Sequence, residues 1–298
     1  MFERLRNLAR ERGTDVNALL VQYAVERLLY RVSESGYGDQ FILNGAMLFR
    51  LWMGSLHRPT QDVDLLGFGD AQPDQLIATF QKILRAFDDP QDGITYDSDA
   101  ITATEIRDGQ DYPGVRMRIP ALLGNARVVV RVDVGFGDAV TPEAQIHEFP
   151  TLLGHEAPHI RAYPQETSIA EKLEAIASIG LVNSRMKDYY DILIMSQRFA
   201  FDGQTLVNAI RATFERRNTP IPGGLPEGLG DEFANDAMKQ AQWKAFIKRS
   251  QLTDAPEELP GAVHLIRLFL EQPLLAASSG DLFAYKWNTT QGWIGRHE

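Results

Sequence analysis

Asp62 and Asp64 stand two residues apart in the run D-V-D-L-L, which reads as a short β-strand closed by Gly67 and Gly69. Side chains alternate along a strand, so both carboxylates leave the same face. Two carboxylates side by side raise each other's pKa unless a cation sits between them. Magnesium is the natural choice, because it is hard and is commonly held by a few carboxylates together with substrate phosphates. Asp133 closes a second candidate strand, A-R-V-V-V-R-V-D-V over residues 126–134, the strongest strand signal in the chain. A charge between Val132 and Val134 is not expected to be buried without a partner. If the two strands are neighbours, all three carboxylates converge on one metal site. The plainer alternative makes Asp62 and Asp64 a turn and Asp133 a salt-bridged strand end. The glycine-ended strand upstream and the later aspartate strand favour the metal.

That upstream strand is F-I-L over 41–43, running into Asn44-Gly45 and then into a buried helix over 46–52 that Gly54 stops. A strand turning sharply into a helix presents unpaired backbone N–H groups, which suit a phosphate, and Gly45 permits its close approach. Asn-Gly is also an ordinary turn. Arg58, shortly before Asp62, could contact the same phosphates or be a surface arginine. Further on, Lys172 borders an apolar helical stripe of Ile169, Leu173 and Ile176, where it could snorkel or face a cleft. Asp188 and Asp191 share a helical face, with Arg185 three residues before Asp188 and Ser184 as the expected cap. From spacing alone this reads best as a helix-surface ion-pair pattern.

The elements needed to hold these groups are legible. Helical spacing covers 15–29 and 74–87, the latter with Leu76, Phe80, Ile83, Leu84 and Phe87 on its apolar side. Residues 94–107 and 115–119 look like further strands. Beyond them helices are expected at 168–181, 185–199, 204–216, 232–250 and 262–272, with a Pro- and Gly-rich loop over 218–230 and a tail carrying Trp287 and Trp293. The order argues for an α+β chain: residues 1–160 as a mixed sheet with flanking helices, and 161–298 as a mostly helical C-terminal domain.

Bulk properties narrow the classes. The chain has 298 residues, 44% hydrophobic and 23% charged, ordinary for a globular protein. It has no cysteine, which excludes disulfides, thiolate nucleophiles and cysteine-bearing zinc sites. The charged opening M-F-E-R-L-R-N-L-A-R-E-R-G is no signal peptide, and no apolar run suits a membrane span, so a cytoplasmic protein with no membrane partner is expected. A net charge of −10 argues against broad, non-specific nucleic-acid binding.

Taken together, F-I-L-N-G-A-M-L-F-R-L-W (41–52), R-P-T-Q-D-V-D-L-L (58–66), V-R-V-D-V-G-F-G-D, I-A-E-K-L-E-A-I (169–176) and S-R-M-K-D-Y-Y-D-I (184–192) resemble the AbiEii/AbiGii toxin family of nucleotidyltransferases, from type IV-like toxin–antitoxin systems, and the related mycobacterial nucleotidyltransferase toxins. The resemblance implies a minimal nucleotidyltransferase fold with a helical C-terminal part. It implies Mg2+ or Mn2+ held by Asp62 and Asp64, with Asp133 as the third acidic residue. It also implies a nucleoside triphosphate as substrate, contacted by Lys172, while Asn44, Gly45 and Arg58 are the phosphate-binding candidates read from the residues themselves. Asp188 becomes the acidic residue of the last block, supported by Asp191. The implied acceptor is RNA, in particular the tRNA acceptor end, and a cognate antitoxin is the implied protein partner. A nucleotidyltransferase acting on a protein hydroxyl or small molecule, and an inactive partner-binding pseudo-enzyme, are the alternatives. One departure stands out. Relatives carry lysine, or a Gly-Gly or Gly-Ser pair, where this chain has Asn44-Gly45-Ala46, leaving open lower activity, a different nucleotide, or compensation by Arg50 or Arg58. In the mycobacterial toxins a serine that can be phosphorylated stands at the place of Thr60. Here ordering of the loop is the favoured role for Thr60.

Overall fold

The computed structural model describes residues 1–86, 91–106 and 114–295; Phe87 and residue 107, the expected ends of a helix and a strand, lie outside them. The chain forms two compact units, Met1–Gly137 with Ala144–Tyr163, and Asp138–Glu143 with Pro164–Glu298.

The first unit opens with helices α1 (Phe2–Arg12) and α2 (Val16–Glu34), followed by β1 (Phe41–Asn44), α3 (Met47–Met53), β2 (Asp62–Gly67) and α4 (Pro73–Ala86). Six strands follow: β3 (Ile94–Tyr96), β4 (Thr102–Ile106), β5 (Gly114–Leu123), β6 (Ala126–Phe136), β7 (Gln145–Glu148) and β8 (His159–Ala162). All eight strands form one mixed sheet in the order β3-β5-β6-β2-β1-β8-β7, with β4 also paired to β5. Strand β2 runs parallel to β6 and antiparallel to β1, while β5 and β6 form a long antiparallel pair.

The register follows from burial. Val63 stands opposite Val132, which stands opposite Met117, and Leu65, Val134 and Val115 repeat the pattern one pleat along; all six are buried. Burying such a side chain contributes about 1.5–3 kcal/mol, so a one-residue slip of any strand, which would turn its whole set to the other face, is strongly opposed. Helix α2 packs against β6 and β8, and α4 against β4.

Helix α2 is tied to the sheet by charge as well as by apolar contact. Asp92, fully buried before β3, accepts from Arg31 at 2.6 Å and Arg27 at 3.3 Å, and its other oxygen accepts from the Ile94 N–H. The Tyr23 hydroxyl donates to the Asp92 carbonyl at 2.7 Å.

The second unit is helical, with α5 (Gln165–Ile179), α6 (Met186–Arg198), the two-residue β9 (Phe201–Asp202), α7 (Gly203–Arg216), α8 (Asp231–Asn235), α9 (Ala237–Ser250) and α10 (Leu259–Ser279). Strands β10 (Tyr285–Asn288) and β11 (Gly292–Gly295) complete a three-stranded sheet with β9. Helix α7 packs on α5 and α10, and α10 on α6. The tail is ordered by its tryptophans: Trp287 Nε1 donates to the Ser196 carbonyl at 2.7 Å and Trp293 Nε1 to Phe269 at 2.8 Å. The excursion Asp138–Glu143 is held to this unit by Arg217, whose Nε donates to Asp138 at 3.0 Å, and by Thr167, which bonds both backbone groups of Thr141.

Several elements differ from the sequence expectation. The helix expected over 232–250 is two, because Asp236 caps α9 by accepting from the Lys239 N–H. Helix α10 continues past 272 through Pro273, whose burial in the helical core offsets the lost hydrogen bond. Ser184 does not cap α6; the Asn183 side chain accepts from the Arg185 N–H instead. The 94–107 stretch is two strands separated by a turn that Asp97 closes. Helix α1, with only Leu5 and Ala9 buried, gave too weak an apolar stripe to be read. No helix among the described residues is long and apolar enough to cross a membrane.

Replacing Asp92 with Ala leaves two buried guanidinium groups of α2, those of Arg27 and Arg31, without their carboxylate. A loss of about 3–5 kcal/mol is expected in urea unfolding. A loss below roughly 1 kcal/mol would place the cluster in the class of surface pairs.

Candidate active site

The buried valine face leaves the opposite face of the same strands to carry polar groups. Asn44 on β1 stands opposite Asp64 on β2, Asp64 opposite Asp133 on β6, and Asp133 opposite Arg116 on β5. One step along, Asp62 is in register with Arg131, and Arg131 with Arg118. Three carboxylates therefore leave one face of two neighbouring parallel strands, flanked by three arginines. At a strand spacing of about 4.8 Å, like charges repel by roughly 1 kcal/mol in water and several times that near a protein surface.

The arginines answer part of that repulsion. Arg116 grips Asp133 with two parallel bonds, Nε to Oδ1 at 2.8 Å and Nη2 to Oδ2 at 2.6 Å. Arg131 lies 3.6 Å from Asp62. Gly45 has φ +69°, and a Cβ placed there would lie 1.9 Å from the Asp64 Oδ2 atom. The turn after β1 is thus pressed against the Asp64 carboxylate, which no side chain at position 45 would allow. Thr60 donates from its hydroxyl to the Asp62 carbonyl at 3.3 Å, a bond that orders the entry to β2.

The other candidate residues form a separate group in the second unit. Lys172 on α5 lies 3.0 Å from Asp191 and 3.5 Å from Asp188, both on α6 and both buried. Arg185 adds a bond to Asp188 at 2.5 Å. The ion-pair pattern legible in the spacing is therefore buried and crosses between helices. Burial, and secondarily the Asp188 charge, push the Tyr189 phenol far above its ordinary pKa, so it stays a donor, here to the Gly228 carbonyl.

A sequence profile described as nucleotidyl transferase AbiEii toxin, type IV toxin–antitoxin system, matches residues 27–264. The chain belongs to the AbiEii nucleotidyltransferase toxin family. Two solved structures share its fold. One is a candidate nucleotidyltransferase from H. pylori, 14% identical with a TM-score of 0.50, covering 88% of this chain and 96% of that one. The other is JHP933 from Helicobacter pylori, 12% identical with a TM-score of 0.50, covering 88% and 94%. No curated protein matches the sequence. As a member of this family the chain is a nucleotidyltransferase, with a nucleoside triphosphate as substrate and an antitoxin as partner.

Such chemistry implies a divalent cation, and the donor set can be tested for one. Asp62, Asp64 and Asp133 offer hard oxygen donors from one face. Asn44 Oδ1, across from Asp64, is buried without a hydrogen-bond partner among the described residues, and Asp62 Oδ1, likewise without a hydrogen bond, has Arg131 as its cation at 3.6 Å. An unsatisfied buried oxygen flanking a carboxylate fits a cation. No group of three His, Asp or Glu residues among those described is arranged to hold a metal, and both Asp133 oxygens are taken by Arg116. The residues suit the ion chemically, with Asp133 held by a different cation.

The two arginines considered as substitutes for the family's lysine before Gly45 part company. Arg50 is buried, donating to Glu26 at 3.2 Å and the Pro150 carbonyl at 2.8 Å, so it is committed to the core and does not serve a phosphate. Burial raises the Glu26 pKa, partly opposed by Arg50 itself. Arg58 is only partly buried, in the loop before β2. Arg116 and Arg131 were not singled out from sequence. The alternation V-R-M-R-I over 115–119 shows outward arginines, but only strand pairing places them beside the aspartates.

Gly45→Ala should strain a left-handed backbone position and push Asp64 aside. A loss of about 1–3 kcal/mol is expected in thermal or urea unfolding, and a variant as stable as the parent would rule out the close approach. In the second unit, Lys172→Ala leaves Asp188 with Arg185 and takes from buried Asp191 its lysine partner. It should cost about 3–5 kcal/mol of stability, against less than about 1 kcal/mol if the lysine merely lies along the surface.

Proposed function

We propose that the chain transfers a nucleotide from a nucleoside triphosphate to a hydroxyl of RNA, the tRNA acceptor end being the preferred target, with Mg2+ or Mn2+ held by Asp62, Asp64 and Asp133. The observation that carries this reading is the in-register row Asn44, Asp64, Asp133, Arg116 with Gly45 pressed against its second member. In the reaction, the acceptor oxygen bonds to the α-phosphorus while the bond to the β-phosphate oxygen breaks. Pyrophosphate leaves with the electron pair, and the hydroxyl proton passes to solvent. A divalent cation supplies a lowered pKa for the attacking hydroxyl and offsets charge on the leaving group.

The protein's own residues position and neutralise, which is most of what phosphoryl chemistry asks of them. Asp62 and Asp64 present oxygens fixed by one strand. The turn Asn44-Gly45 gives its side-chain space to the Asp64 carboxylate and so brings the backbone to that face, and Arg58, partly buried in the loop before β2, is the phosphate-binding candidate read from the sequence. The family likeness supports Lys172 as a triphosphate contact and Asp188 as its partner. RNA as acceptor rests on that likeness alone, because the three arginines of the carboxylate face are matched by its three aspartates.

The test is incubation with each labelled triphosphate, Mg2+ or Mn2+, total RNA and total protein, comparing the parent with Asp64→Ala. Label should enter RNA, and the variant should lose at least about a hundredfold in rate while staying folded, since it keeps the fold but not the oxygen donor. Label confined to protein would assign a protein hydroxyl as acceptor. No triphosphate binding in the presence of metal would make the chain an inactive partner-binding member of its family.

A further inference from the structure

We infer that Arg116 is a built-in counter-ion of Asp133 that must be displaced when a divalent cation binds, so that this residue sets the cation affinity of the site. The inference rests on the metal reading above and deepens it. A carboxylate gripped by a guanidinium through two parallel bonds has both oxygens engaged. A divalent cation needs one of those oxygens at close range, and it repels the guanidinium sharing the group. The two cations therefore compete for Asp133. Arg116 is suited to leaving, because its side chain is 47% exposed and stands toward the outer strands, opposite the exposed Thr104 of β4. It keeps its charge wherever it goes. Arg116 is thus a positioning residue, acting on the ion through Asp133.

Arg118 supplies the internal control. It is exposed on the same strand and face, two residues along, in register with Arg131 and making no ion pair among the described residues. R118Q changes the net charge of the face as R116Q does, but it breaks no bond to a carboxylate.

Mn2+ binding to the full chain without nucleotide is followed by the electron spin resonance signal of the free ion, for the parent, D64A, R116Q and R118Q. The parent should bind Mn2+ at a site that D64A weakens. R116Q should bind it about 3–10-fold more tightly, the range for removing a competing charge-assisted pair, while R118Q stays within about twofold of the parent. The rise in melting temperature on adding Mn2+ should be larger for R116Q than for the parent. Unchanged or weaker binding in folded R116Q overturns the inference and leaves the metal reading standing. Equal tightening in R118Q also overturns it, because general charge would then be the cause. If no Asp64-dependent Mn2+ binding exists in the parent, the metal reading itself fails and takes the inference with it. Should R116Q not fold, R116K decides. It keeps the charge but loses the two-pronged grip, so tighter Mn2+ binding than the parent supports the inference and unchanged binding overturns it.

Discussion

A strand can offer only every second side chain to a given face, and the position of the carboxylates in this protein follows from that limit. The apolar set Val63, Leu65, Val115, Met117, Val132 and Val134 must be buried together. Once it is, Asp62, Asp64 and Asp133 have no choice but to share the other face. The expense of exposing several valines in a slipped register greatly exceeds the mutual repulsion of a few half-exposed carboxylates. The core therefore imposes a charge cluster that would not assemble for its own sake. That ordering of magnitudes is what allows a fold to hold a functional arrangement that is locally unfavourable.

The repulsion left over is handled by pairing. Arg116 and Arg131 sit in the same rows as the aspartates they oppose, and Gly45 leaves room for Asp64 by having no side chain. Charge is treated differently deeper in the chain. Asp92 with Arg27 and Arg31, Glu26 with Arg50, and Lys172 with Asp188 and Asp191 are buried groups in which each carboxylate meets at least one cation. Such groups add little net stability relative to an apolar core but are costly to break, so they favour one packing of the helices over others. The arginine of the candidate site differs from these in being half exposed, and its carboxylate is reachable by solvent ions.

This contrast bears on how the family lysine before the glycine turn is replaced. Asn44 carries no charge, and Arg50 is locked in the core by Glu26 and Pro150. Positive charge on the carboxylate face comes instead from Arg116 and Arg118 of β5, on the far side of Asp133 from the turn, and from Arg131 of β6, in register with Asp62. Arginines of the helical unit are likewise committed to internal partners. Arg211 donates to the carbonyls of Ala276, Ala277 and Asp281, and Arg217 is enclosed by Asp138, Glu171 and Glu174. Both act as internal fasteners rather than as an exposed basic surface.

The sequence by itself determined what period and parity can carry. Alternation in D-V-D-L-L and in the valine run before Asp133 set both strands and the side from which each aspartate leaves. The helical spacing in 15–29 and 74–87 set the layer that covers their apolar face, and the ordered blocks set the family. It did not determine which strands are neighbours, because pairing joins residues far apart in the chain and depends on the whole core closing. Only the folded sheet brought Arg116 to Asp133 and Arg131 to Asp62, and only the packing of α5 on α6 turned a helix-surface ion-pair pattern into a buried cluster around Lys172. The continuation of α10 through Pro273 was decided in the same way, whereas the exposed strand β7 is set by its backbone pairing to β8. Tertiary contacts outweigh local preference wherever the local signal is worth less than the burial it gains.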